Sequence, residues 1–179
     1  MKQIVLVVFL LFIGCKNENP QIEDKVDKVT AEVVEPGSES IELEIYDYDG
    51  LEPLINKKDD KIHVVNFWAT WCAPCVKELP YFEVVNEKYQ NKNVEVLLVS
   101  LDFPKNYDSK LKPFMSKHKL QSKVVAFDDT DQNRWIPAIN ENWSGAIPAT
   151  IIYNNEKRLF YERSFTQEEL ENELKQFLK

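Results

Sequence analysis

Cysteine and histidine are scarce in this chain of 179 residues, with three and two copies. A structural zinc site takes about four such ligands, and no second Cys pair or His pair accompanies Cys72 and Cys75. No metal or other cofactor is therefore expected, and His63 and His118 read as isolated surface or strand-end residues. No Lys/Arg cluster stands on an aromatic background, and the formal charge is −8, which argues against nucleic acid as a partner. No apolar run reaches the roughly 20 residues of a membrane-spanning helix; residues 4–13, IVLVVFLLFI, supply ten. Internal repeats are missing too. What remains, 44% hydrophobic and 29% charged residues, is a composition that buries a core and forms one domain.

The ten-residue run follows Lys2 and ends in Gly14-Cys15. A positive start, a short apolar core and a small residue at the cut describe a secretory signal at residues 1–14. The junction resembles a bacterial lipobox, although Phe12 stands where Leu is preferred. The resemblance implies that Cys15 is acylated and becomes the first residue of the mature chain, facing the periplasm from a membrane to which the lipid holds it. An ordinary signal peptide with an incidental Cys15 is the alternative. Residues 15–40 are polar, lack sustained periodicity and close on Pro36-Gly37, as a flexible tether does. Such a chain spans roughly 25–30 Å. The folded domain is then 41–179.

Within it, IELEIY (41–46) alternates Ile41, Leu43 and Ile45 with acids, the period of a half-buried strand. A turn is predicted at Asp49-Gly50. IHVVNFW (62–68) and VEVLLVSL (94–101) are nearly continuous apolar runs, as expected of central strands covered on both faces. Helices are predicted over 74–89 and, with Pro113 as a kink, over 105–120; KVVAF (123–127) reads as a further strand. ATIIY (149–153) and KRLFYER (157–163) form a hairpin through Asn154-Asn155, residues that tolerate positive φ. A last helix starts at the capping box Thr166 to Glu169 and turns Leu170, Leu174, Phe177 and Leu178 inward. The order is that of an α/β fold with a mixed central β-sheet and helices on both faces.

Cys72 and Cys75 fall where a strand ends and a helix begins. Only a thiolate attacks disulfides, and a free thiol with pKa near 8.5 is mostly protonated at neutral pH. A helix N-terminus lowers that pKa, and Pro74, lacking an N–H, suits a first turn. Cys72 is read as the exposed attacking thiolate and Cys75, one turn on, as the thiol that resolves the mixed disulfide. Glu78 lies in line with Phe82, Val85 and Tyr89 at about 100° per residue, while Lys77, Glu83, Glu87 and Lys88 face away. A carboxyl on an apolar face has a raised pKa and can exchange a proton with the cysteines; a glutamate that snorkels to water is the alternative.

The stretch FWATWCAPC (67–75) resembles the active-site segment of the thioredoxin superfamily, and within it the TlpA/ResA-like thiol:disulfide oxidoreductases of bacterial envelopes. The resemblance covers roughly 41–179. Pro80 falls where that family's helix is kinked, Glu78 matches an acid of the subgroup, and GAIPAT (145–150) resembles the segment before the penultimate strand. Pro148 would be trans on sequence alone; the resemblance makes it cis and facing the dithiol. It also implies a substrate-binding surface of Trp71, Ala73, Pro74, Ile147 and Pro148. Asn66 departs from thioredoxins proper, which carry a buried Asp six residues before the first cysteine, so Glu78 must supply the proton acceptor. Trp135 and Trp143, within a 103–146 insert of unclear purpose, read as core.

The dithiol makes the chain a thiol:disulfide oxidoreductase, and the resemblance, not the residues, implies the direction: reduction of protein disulfides in the cell envelope. The resemblance also implies disulfide-containing proteins as substrates, with apocytochrome c thiols in cytochrome c maturation as one family-level case, and an integral-membrane dithiol relay as electron donor; the residues themselves do not name the substrate. A disulfide-forming oxidase and a non-catalytic binding module with the same fold are the rival readings.

Overall fold

The runs at 62–68 and 94–101 look continuous because both faces of each strand are covered. The computed structural model describes residues 41–178. The expected signal segment 1–14, the expected lipidation site Cys15 and the expected tether 15–40 lie outside the described residues. In chain order come β1 (Glu44–Tyr46), α1 (Tyr48–Ile55), β2 (Ile62–Trp68), α2 (Ala73–Tyr89), β3 (Val94–Ser100), α3 (Lys112–His118), β4 (Lys123–Phe127), α4 (Gln132–Ile139), β5 (Ala149–Tyr153), β6 (Arg158–Tyr161) and α5 (Gln167–Lys175). The sheet order is β1-β4-β3-β2-β5-β6. The first three pairings are parallel, and β2 with β5 and β5 with β6 are antiparallel.

All seven residues of β2 are buried, and alternation sends them to two cores. Val64 and Trp68 pack with Cys75, Leu79, Phe82, Leu170 and Leu174, under α2 and α5. Val65 and Phe67 pack with Leu51, Ile55, Trp135 and Trp143, under α1 and α4. Burying a side chain of this size contributes about 1.5–3 kcal/mol. α5 carries both halves of its capping box and is pinned to α2 by Glu171, which accepts from Lys88 Nζ at 2.6 Å and Tyr89 Oη at 3.0 Å.

Several local expectations change. Asp49-Gly50 is the first turn of α1, capped by Asp47, whose side chain accepts the Gly50 N–H, because Leu51 and Ile55 bury one helical face. β1 begins at Glu44 and leaves Ile45 half exposed, since an edge strand is covered on one side only. The 105–120 segment is three pieces: a 3₁₀ turn (Pro104–Asn106), a π turn (Tyr107–Leu111) and α3. Pro113 lacks the N–H that would continue a helix from the preceding turn and sits in the first turn of α3 instead. The hairpin turn needs no positive φ at Asn154 or Asn155; Asn154 Oδ1 accepts the N–H groups of Glu156 and Lys157. His63 is buried within β2, stacked on Tyr153. Helix α4, inside the insert, was not expected. It brings Trp135 against Phe127 and Trp143, and Trp143 against Phe67. No helix among the described residues is long and apolar enough to cross a membrane.

Candidate active site

Cys72 is the N-cap of α2, in extended conformation, and its Sγ accepts the N–H of Cys75 at 3.3 Å. Pro74 occupies the first turn, so no donor is wasted there. The two cysteines are joined in a disulfide with Cα atoms 5.3 Å apart. In this bridged state Cys72 is only 6% exposed, less than the exposed thiolate predicted, because its sulfur is bonded inward to Cys75 and lies 3.8 Å from the carbonyl oxygen of Ile147. Cys75 is fully buried, so Cys72 is still the outer sulfur. Ala73 and Pro74 are exposed beside it.

The Ile147–Pro148 peptide is cis, and its chain is the wall opposite the dithiol. Gly145 leads into it at φ +91°, where a Cβ would meet Ile136 Cδ1 at 2.9 Å. Trp71 is more than half exposed and stacks on the equally exposed Phe103 at 6.3 Å. Together with Ile147, Asp102 and Trp135 they line a cavity of about 490 Å³ next to the bridge. The structure thus brings Ile147 to Cys72, with Trp71, Ala73 and Pro74 exposed next to Cys72 in the chain and with Cys75 and Pro148 buried.

Glu78 sits on the inner side of α2, 1% exposed, with no route to water by snorkelling. Its Oε1 accepts from Asn66 Nδ2 at 3.1 Å and its Oε2 from the Phe165 N–H at 2.7 Å. Burial outweighs these bonds and the field of Arg163, and pushes the carboxyl from 4.5 up to about 7. An acid with that affinity holds or releases a proton near neutral pH. Pro80 lies on the exposed side of α2.

Two residues of this site escaped the sequence reading, Phe103 and Asp102. Asp102, 1% exposed, accepts from the Thr70 N–H at 2.9 Å, from Thr70 Oγ1, and from Ser100 Oγ at 2.9 Å. It ties the loop before Cys72 to the end of β3. The only signal available was a Thr and an Asp just beyond the ends of two apolar runs. Asp102→Ala strands these donors, so a loss of about 2–4 kcal/mol is expected in urea unfolding; an unchanged midpoint would deny the tie.

Among the described residues Asp59, His63 and Glu95 are close enough to suggest a metal. The imidazole faces Asp59 through Nε2 at 2.8 Å and Glu95 through Nδ1 at 3.5 Å, on different sides of the ring. Lys57 and Lys61 already engage Glu95. The trio is a polar network in which Glu95 is already paired with two lysines, and it fits a metal poorly.

Residues 36–161 match the model of the AhpC/TSA family. The chain belongs to that family. Its fold is the thioredoxin-like α/β fold, with a mixed six-stranded sheet. Among relatives, it is 27% identical over 176 residues to the thiol-disulfide oxidoreductase ResA of Geobacillus kaustophilus, covering 97% of this chain and 92% of that one. ResA of Bacillus anthracis is 27% identical over 146 residues, 80% of this chain and 79% of that one. Among solved structures, a thioredoxin-related protein from Neisseria meningitidis serogroup B superposes with a TM-score of 0.57 at 20% identity, over 68% of this chain and 87% of that one. A thiol:disulfide interchange protein from Chlorobium tepidum does so with 0.56 at 17%, over 67% and 81%. At such identities the structural matches establish the fold.

Proposed function

We propose that this chain is a thiol:disulfide oxidoreductase that reduces protein disulfides in the bacterial cell envelope. The activity class rests on its ResA relatives, named thiol-disulfide oxidoreductases, and on one observation here: a bridged Cys72–Cys75 pair at a helix N-terminus, with the outer sulfur already receiving a backbone N–H. In the reduced enzyme, Cys72 thiolate attacks a substrate disulfide. A mixed disulfide forms, and the departing substrate sulfur takes a proton. Glu78 carboxylate accepts the proton of Cys75, whose thiolate attacks Cys72 Sγ. The bond from Cys72 to the substrate breaks, the second substrate sulfur leaves as a thiolate that takes a proton, and the substrate disulfide has been reduced by two electrons while the Cys72/Cys75 dithiol has been oxidised to a disulfide. A membrane dithiol relay then returns two electrons. Trp71, Ala73, Pro74, Ile147 and Pro148 hold an extended substrate segment, the main chain of Ile147 lying against it.

Two measurements test this reading. A reduction potential near roughly −270 mV supports a reductase, and one near roughly −120 mV an oxidase. Cys75→Ser traps the substrate as a mixed disulfide whose mass identifies it, apocytochromes c included; failure to accumulate any such adduct counts against the mechanism. We further propose that residues 1–14 are a signal peptide, that Cys15 carries the lipid and that 15–40 tether the 41–179 domain to the membrane, on the residue pattern FIGC. Stable anchoring takes more than one acyl chain, and an intact mass equal to an unmodified chain would refute the anchor.

A further inference from the structure

Asn66 is fully buried in the middle of β2, among strand neighbours that are nearly all apolar. Its Nδ2 donates at 3.1 Å to Glu78 Oε1 and at 3.1 Å to Thr150 Oγ1 on β5. Its Oδ1 has no hydrogen-bond partner. A buried acceptor left without a donor lowers stability, so packing alone does not account for an amide here. What the amide does achieve is a grip on Glu78 from the sheet side, while the Phe165 N–H grips the second oxygen from the segment before α5. Neither donor carries charge. The one charged side chain among the described residues that acts on this carboxyl is Arg163, which favours its ionised form. Cys75, a turn away on the same helix, does not titrate while bridged.

We propose that Asn66 is a positioning residue for disulfide exchange: its neutral amide fixes the Glu78 carboxylate one turn from Cys75 and keeps it the single titrating carboxyl in this part of the core. The proposal rests on the reading of Glu78 as proton carrier. Two physical consequences separate it from a packing role. A hydrogen bond donated to a carboxylate favours the ionised form, so removing the Asn66 donor makes Glu78 hold its proton to higher pH. A carboxyl at position 66 would sit at hydrogen-bonding distance from Glu78, and such a pair takes up protons in two coupled steps.

The experiment is a ¹³C NMR titration of the Glu78 carboxyl in the full, oxidised chain, where the bridged cysteines do not titrate. Wild type is expected to show one midpoint near 7. Asn66→Ala is expected to raise it by about one pH unit, the share of a single bond to a charged group. Asn66→Asp, nearly equal in size, is expected to replace the single step by two, separated by more than about one unit, and serves should the alanine variant not fold. A Glu78 midpoint unchanged in the variants that fold overturns the proposal. The pH dependence of mixed-disulfide resolution, measured in parallel, separates the two readings. If the wild-type rate follows the Glu78 midpoint but Asn66 variants leave that midpoint in place, only the role of Asn66 falls. If the midpoint moves and the rate profile does not, the role of Glu78 in exchange falls, and positioning for exchange falls with it.

Discussion

Cys72→Ser is expected to reduce disulfide exchange on the order of 10⁴-fold or more, the scale on which enzymes lose activity when their nucleophile is removed. A serine hydroxyl has no accessible anion near neutral pH. Neither the Cys75 N–H at 3.3 Å from the sulfur position nor the start of α2 can supply one. The same N–H and helix terminus stabilise a Cys72 thiolate, so alkylation of the reduced chain across pH should label Cys72 first, with an apparent pKa well below the roughly 8.5 of a free thiol. Cys75, fully buried, should react slowly. Retained turnover in Cys72→Ser would favour a binding module with a structural bridge, and faster labelling of Cys75 would exchange the roles of the two thiols.

Glu78→Gln should show two opposite effects. It should slow resolution of the mixed disulfide about 100-fold, the lower range for loss of a general base, and remove the rate midpoint near 7. It should also stabilise the fold at higher pH. The sign follows from proton binding: burial raises the folded-state pKa from 4.5 to about 7, so between these values the folded protein holds a proton that the unfolded chain has released. Stability therefore falls as pH rises through that window. The full shift corresponds to about 3 kcal/mol above pH 7. Glutamine does not titrate, and after about 1 kcal/mol for a poorer hydrogen bond to Asn66 or Phe165, a gain of about 2 kcal/mol is expected above pH 7. Urea unfolding of the oxidised chain at pH 5 and pH 8 measures it. Equal stability differences at both pH values would mean that Glu78 is not held as a buried acid.

How much of this was legible beforehand depends on how far each signal reaches along the chain. β2, β3, β4, β5 and α2 were read within a residue or so of their bounds, because continuous apolar runs and a 3.6-residue stripe are local patterns that burial on two faces or one enforces. Helix α4 and the three-part 104–118 segment were not read as such. Helix α4 is about two turns long with Pro137 inside it, the 104–118 segment has few apolar residues, and what holds Trp135 is an aromatic cluster drawn from Phe127 and Trp143. The hairpin turn does fall at Asn154-Asn155, but by another route than the one their residue type suggested: the Asn154 side chain accepts two backbone N–H groups, and no positive φ is used.

The sequence by itself determined the dithiol: Cys72 and Cys75 three residues apart, at the join of a strand and a helix, need only helix geometry to face one another, and Glu78 reaches the inner face by the same arithmetic. Only the tertiary structure decided what surrounds them. Ile147 comes to Cys72 from 75 residues away, Phe165 to Glu78 from 87, and Asp102 to Thr70 from 32. These contacts cross between strands and loops whose neighbours are set by sheet order, and no periodicity along one segment encodes which other segment will lie beside it.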